Sequence, residues 1–157
     1  MQRIFKHNYS LELNKDLIKP RVLCLDVGSF KTGVAVSSSC LRFASPLEPI
    51  KTDFDLIAKC FTANNCKTLV VGYPFIAAEA CNNNVKENPE LKVCSIIDSI
   101  VDSFSKTHPD VNIFYVNENF SSEMVEKLHC VKKNGKLKNK LDSSVACFLL
   151  QNFLNFQ

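Results

Sequence analysis

Apolar residues follow two rhythms along this chain, and the switches between them divide it into strands and helices. Arg21 to Val27 (RVLCLDV) is a nearly continuous apolar run ending in Asp26-Val27-Gly28, the pattern of a buried strand feeding a tight turn. Thr32 to Ser37 and Leu41 to Ile50 follow too closely for crossover helices, so the three runs predict an antiparallel meander. After Ile50 the period becomes helical. Thr52 with Asp55 three residues on reads as a capping box, Ile57, Ala58 and Phe61 recur at helical spacing, and the helix should end near Asn64-Asn65. Thr68 to Val71 predicts a fourth strand stopped by Gly72-Tyr73-Pro74. Asn88-Pro89 opens a long helix with Val93, Ile97, Ile100, Val101 and Phe104 on one face, ended by His108-Pro109. Val111 to Val116 predicts a fifth strand, and a short helix starts near Ser121. Lys132 to Lys140 (KKNGKLKNK) reads as a loop, and Leu141, Val145, Phe148, Leu149 and Phe153 mark a last helix.

That order predicts an α/β fold. Its core is one five-stranded mixed sheet, an antiparallel meander followed by βα crossovers, with helices on its faces. Strands leading into crossover helices place their carboxyl ends along one edge, where sites on open sheets form. Residues 1–20 stand outside the pattern and read as an N-terminal extension to a domain over residues 21–157.

A length of 157 residues, 46% hydrophobic and 22% charged, suits one folded domain and excludes disorder throughout. No apolar run approaches the ~20 residues of a membrane-spanning helix, so no membrane partner is expected. Residues 1–20 lack the apolar core of a secretory signal. Arg3, Lys6, Lys15 and Lys19 against Glu12 and Asp16 leave an organellar transit peptide open, with an intracellular, cytoplasmic location expected. Eight cysteines without a C-x-x-C pair, several inside apolar runs, read as small hydrophobes kept reduced rather than as disulfides or zinc ligands. His129-Cys130 has no second pair at ligand spacing.

Three carboxylates fall at element ends: Asp26 after the first strand, Glu118 after the fifth, and Asp142 at the start of the last helix. Each alone has an ordinary structural use in a turn, on a surface or at a cap. Together at one edge they would repel unless a cation sat among them, and oxygen-only ligands suit Mg²⁺ or Mn²⁺. Asp26-Val27-Gly28-Ser29, with Lys31 and Gly33 following, is also a hairpin able to hold phosphate through backbone N–H groups. Such hairpins occur in the actin, Hsp70 and sugar-kinase superfamily, but those proteins need a second lobe that this chain has no length for.

The blocks RVLCLDVGSFKTGVAVS, ASPLEPI, VVGYP, VNENFSSE and LDSSVACFLLQ, in this order from about Arg21 to the C-terminus, resemble the YqgF/RuvX family. These are RNase H-like Holliday junction resolvases, also described as pre-16S rRNA nucleases. The resemblance implies an RNase H-like fold and places Asp26, Glu118 and Asp142 at the family's catalytic, metal-holding acids. It places Ser29, Lys31 and Thr32 in a phosphate-contacting hairpin and Gly72, Tyr73 and Pro74 in the family's G-L-P loop. The chain also departs from the pattern. The family's D-E-R is Asn117-Glu118-Asn119, the loop from Phe75 to Cys81 lacks glycine, and Phe30 stands where a basic residue is frequent.

Of the net charge of +3, the lysine loop holds +5 through Lys132, Lys133, Lys136, Lys138 and Lys140, leaving −2 for the rest. A charge run is ordinarily a solvated face. Its place just before Asp142 makes contact with a phosphate backbone the alternative. The expectation is therefore a Mg²⁺- or Mn²⁺-dependent nuclease acting on structured nucleic acid, RNA precursor or branched DNA. A binding protein without catalysis is the rival. Symmetric junction cutting needs two sites in a two-fold dimer. No apolar stripe is left over for a large interface, so a monomer or weak homodimer acting on RNA is expected.

Overall fold

The computed structural model describes residues 4–7, 15–74, 89–117 and 138–155. The apolar run becomes strand β2 (Val22–Val27), and a tight turn returns the chain as β3 (Lys31–Ser37), antiparallel to it. The third run is split. Instead of one strand over Leu41 to Ile50 there are two short pieces, β4 (Ala44–Pro46) and β5 (Ile50–Lys51), both pairing with β3. Helix α1 (Phe54–Ala63) follows. Its N-cap is Asp53, whose side chain accepts from the Leu56 N–H, rather than Thr52. Thr52 is committed elsewhere, as shown below. The helix stops where expected. Asn65 takes φ 53°, and the Cys66 and Asn65 N–H groups donate to Phe61 and Thr62, the hydrogen bonds of a left-handed C-cap.

Strand β6 (Thr68–Tyr73) lies parallel to β2, and helix α2 (Pro89–Thr107) leads to β7 (Asn112–Asn117), parallel to β6. Helix α3 (Lys138–Asn155) closes the chain. It begins inside the stretch expected to be a loop and buries Ala146, Leu149, Leu150, Phe153 and Leu154, a stripe rotated from the expected one. The short helix expected near Ser121 lies outside the described residues.

Residues from the expected extension join the sheet. Strand β1 (Ile4–His7) pairs parallel with β7, making the order β1-β7-β6-β2-β3-β4, with β5 also on β3. Lys19 exchanges hydrogen bonds with Thr68 Oγ1 through its N–H (2.9 Å) and its carbonyl (2.8 Å). Asn112 Nδ2 donates to the Leu17 carbonyl at 2.7 Å, and Ile18 is buried. The boundary drawn at residue 20 is therefore crossed by packed structure.

Alternation along the strands sorts the core into two layers. Leu23, Leu25, Val34, Leu69, Val71 and Ile113 face α1 and α2, where Ile57, Phe61, Ile97 and Phe104 meet them. Val22, Cys24, Ala35, Val70, Phe114 and Val116 face α3. None of the six described cysteines is in a disulfide. Burial pushes the Cys66 thiol up to about 12, which keeps it protonated and inert. Among the described residues no helix is long and apolar enough to cross a membrane.

Candidate active site

Asp26 follows Val22 and Cys24 in alternation, so it points to the α3 side of the sheet, near the carboxyl end of β2. It is half-buried. The neighbouring strands set glycines beside it. Gly33 is its partner in β3, and Gly72 in β6 lies one residue past the Leu25–Val71 pair. Gly72 in turn pairs with Val116 in β7, the last residue on this face before β7 ends at Asn117. With no side chain on either flank, backbone and ligand can approach the carboxylate closely. Gly72 thus leaves the flank of Asp26 open through the side chain it lacks.

Helix α3 is tied to the same place. Between the two pieces of the edge strand, Leu47 N–H takes the Val34 carbonyl (2.8 Å), while the Val34 N–H donates to the Ser143 hydroxyl at 3.3 Å. Ser143 is buried, and Val34 is the residue after Asp26's cross-strand partner. Asp142, immediately before Ser143, lies in the second turn of α3 rather than at its cap. The Ser143 tie brings that turn to the Asp26 end of the sheet. Ser143→Ala should leave a buried N–H unpaired and lower stability by about 1–3 kcal/mol, read by urea denaturation. Unchanged stability would mean that the tie is not formed.

The β2–β3 hairpin is held from several sides. Gly28 N–H donates to the Lys31 carbonyl (3.0 Å), and a Cβ on Gly28 would stand 2.6 Å from that oxygen, so the turn admits only glycine without a shift. Thr52 anchors it from outside: its hydroxyl donates to the Gly28 carbonyl (2.7 Å), its N–H donates to the Phe30 carbonyl (2.9 Å), and its hydroxyl lies 2.9 Å from that of Thr32. Thr32, expected at phosphate, is instead fully buried and braces the hairpin with Thr52. Ser29 and Lys31 are exposed, as phosphate contact requires. Lys31 also pairs directly with Lys51 of β5, a neighbour that the sequence pattern did not reveal.

Tyr73 was also expected to bind nucleic acid, and its side chain lies on the opposite face. Its hydroxyl donates to Asp98 Oδ2 of α2 (3.4 Å), and Tyr115 donates to Asp98 Oδ1 (3.4 Å), with the two rings edge to face at 4.9 Å. Burial first, and then the Asp98 charge, raise the Tyr115 hydroxyl above its usual range. For Tyr73 burial again leads, followed by its hydrogen bond with Cys94. Both therefore stay neutral and clamp α2 beneath the carboxyl ends of β6 and β7. Glu118, Lys132, Lys133 and Lys136 lie outside the described residues. Among the described residues no cluster of three metal-ligating side chains forms, and of the expected acids only Asp26 has its side chain described.

A mixed sheet of this order, with an aspartate near the carboxyl end of a central strand and a helix tied across it, is the RNase H-like arrangement of resolvase-type nucleases. The chain matches the model of the RuvX Holliday junction resolvase family over residues 20–156, and it belongs to that family. Relatives named "Putative pre-16S rRNA nuclease" include that of Chlorobium phaeobacteroides (strain BS1), 29% identical over 140 residues covering 85% of this chain and 91% of its own. That of Caldicellulosiruptor bescii is 30% identical over 141 residues, 87% of this chain and 96% of its own. The likeness to solved structures is one of fold. RuvC of T. thermophilus, solved in complex with a Holliday junction substrate, aligns at TM-score 0.51 and 13% identity, over 85% of this chain and 92% of its own. The yeast mitochondrial Holliday junction resolvase Ydc2 aligns at 0.53 and 10%, over 88% and 79%.

Proposed function

We propose that this protein is a divalent-metal-dependent endonuclease that hydrolyses phosphodiester bonds in structured RNA, an rRNA precursor being its substrate. The observation that carries the reading is Asp26, set between two glycines near the carboxyl end of β2 with the Asp142 turn of α3 tied beside it. The names of its relatives favour an rRNA precursor. The donor set fits a hard cation, since Asp26, Glu118 and Asp142 offer only carboxylate oxygens, and these three residues would hold Mg²⁺ or Mn²⁺. When bound, the cation supplies Lewis acidity for a water nucleophile and for the leaving oxygen. The hairpin residues Ser29 and Lys31 grip the phosphate and fix its orientation for in-line attack. Hydrolysis breaks the bond from phosphorus to the 3′ oxygen and leaves a 5′ phosphate and a 3′ hydroxyl.

Lys132, Lys133 and Lys136 are assigned to the phosphate backbone flanking the cut. Each contacting lysine contributes about 0.7–0.9 to the slope of log affinity against log salt. The triple change of these residues to Ala should flatten that slope by roughly 2. An unchanged slope would return the lysines to a solvated surface.

Junction resolution is the competing activity, named in the family's own description. Cleavage assays on rRNA precursor and on a four-way DNA junction, run with a measurement of solution mass, separate the two. We expect a monomer or weak dimer that cuts the precursor. A stable dimer nicking opposed junction strands at matching positions, with no action on precursor, would overturn the assignment.

A further inference from the structure

Phe30, at the tip of the β2–β3 hairpin, is 84% exposed. Single exposed apolar residues are ordinary on protein surfaces. Phe30 differs because its backbone is fixed: the Thr52 N–H holds its carbonyl, the Gly28–Lys31 bond closes the turn beneath it, and β5 pairs with β3 next to it. The place from which the ring projects is thus set by the fold. Beside it Lys31 and Lys51 are cross-strand partners, both exposed. Like charges placed opposite each other on a sheet repel. The one ion pair seen among the described residues is Lys106–Asp102, so neither lysine is neutralised there. Register places both on the Asp26 side of the sheet, since Lys31 precedes Gly33 by two residues, about 7 Å along the strand.

We infer that the hairpin is a stacking platform for an unpaired nucleotide beside the bond that is cut. The Phe30 ring covers the face of the base, and Lys31 and Lys51 take the phosphates around it. The inference rests on the nuclease reading above and adds to it a substrate class: a strand unpaired next to the scissile position. An aromatic face and adjacent cations are the two parts by which proteins hold single strands, the ring tolerating any base and the cations following the backbone. An uninterrupted duplex offers no free base to the ring. A protein partner seated on Phe30 would have to cover two uncompensated cations as well.

The test measures binding of the full chain, in EDTA, to a stem-loop RNA with a single-stranded tail, to its DNA counterpart, and to the same stem with a blunt end. The tailed probes carry 2-aminopurine at the first unpaired position. Phe30→Ala should weaken both tailed probes about tenfold, abolish the quenching of 2-aminopurine on binding, and leave the blunt stem unaffected. Phe30→Trp should restore affinity and quenching, whereas Phe30→Leu should not. Lys51→Ala should lower the salt slope on tailed RNA by about 0.7. Wild-type affinity in Phe30→Ala, full function in Phe30→Leu, or a change confined to solution mass would each overturn the platform. If the wild type cuts precursor while Phe30→Ala binds normally, the platform alone falls. If the wild type binds none of the probes, the nuclease reading falls with it.

Discussion

Asp26→Asn should abolish cleavage and leave the metal-free protein as stable as the wild type, or slightly more so. The substitution keeps the size of the side chain and removes its charge, and the charge is what a cation-holding site requires. Losing a residue that merely supports a metal ligand typically costs ~10–100-fold in activity or affinity, so loss of a ligand should cost more than that. Stability should move the other way, because the proposed site groups Asp26 with Glu118 and Asp142, and without the cation like charges raise one another's energy. Its flanks, Gly33 and Gly72, contribute no side-chain packing that the amide could disturb. Cleavage rates and urea denaturation in EDTA give both readings. Cleavage at the wild-type rate would remove Asp26 from the chemistry, and failure to fold would assign it to the structure instead.

Phe104→Ala should do the opposite. Phe104 is fully buried and central to an aromatic group, its ring 5.4 Å from Phe54, 5.4 Å from Phe61, and stacked on His108 at 5.0 Å. Removing a buried phenylalanine costs about 3–5 kcal/mol through lost burial and the cavity left behind. That group lies on the α1 and α2 face of the sheet, while Asp26 and α3 occupy the other. The variant should therefore lose much of its stability, yet cut at close to the wild-type rate per folded molecule at low temperature. Equal loss of activity and stability at the two positions would mean that the two faces are not separable.

The elements read correctly from the sequence were those fixed by local chemistry. β2, β3, β6 and β7 are runs buried on both faces, α2 starts at its proline, and the end of α1 is written in an asparagine that tolerates a left-handed backbone. The misread elements depend on distant partners. Ile4–His7 is a strand because β7 lends it an edge, and beside the split between β4 and β5 the Val34 N–H is taken by Ser143, more than a hundred residues on from Val34. Thr52 looked like a cap, and Asp53 took that role because the Thr52 hydroxyl and N–H were already engaged by the hairpin. In the candidate site, the place of Asp26 near a strand end was legible from the apolar run before it and the glycine after it. The burial of Thr32 and the turn of the Tyr73 side chain toward α2 were not legible, because a motif gives residue type and spacing but not which face of the sheet a side chain takes. Lys51 carries no motif and is found only through its pairing with Lys31.

The central claim is that this chain cuts nucleic acid by metal-dependent hydrolysis. Incubating the purified protein with rRNA precursor in Mg²⁺ or Mn²⁺, with and without EDTA, and determining the new termini tests it most directly. The account predicts defined cuts that leave 5′ phosphates, appear with either metal, and vanish in EDTA. Cuts that persist in EDTA, or precursor that is bound and left intact in both metals, would contradict it.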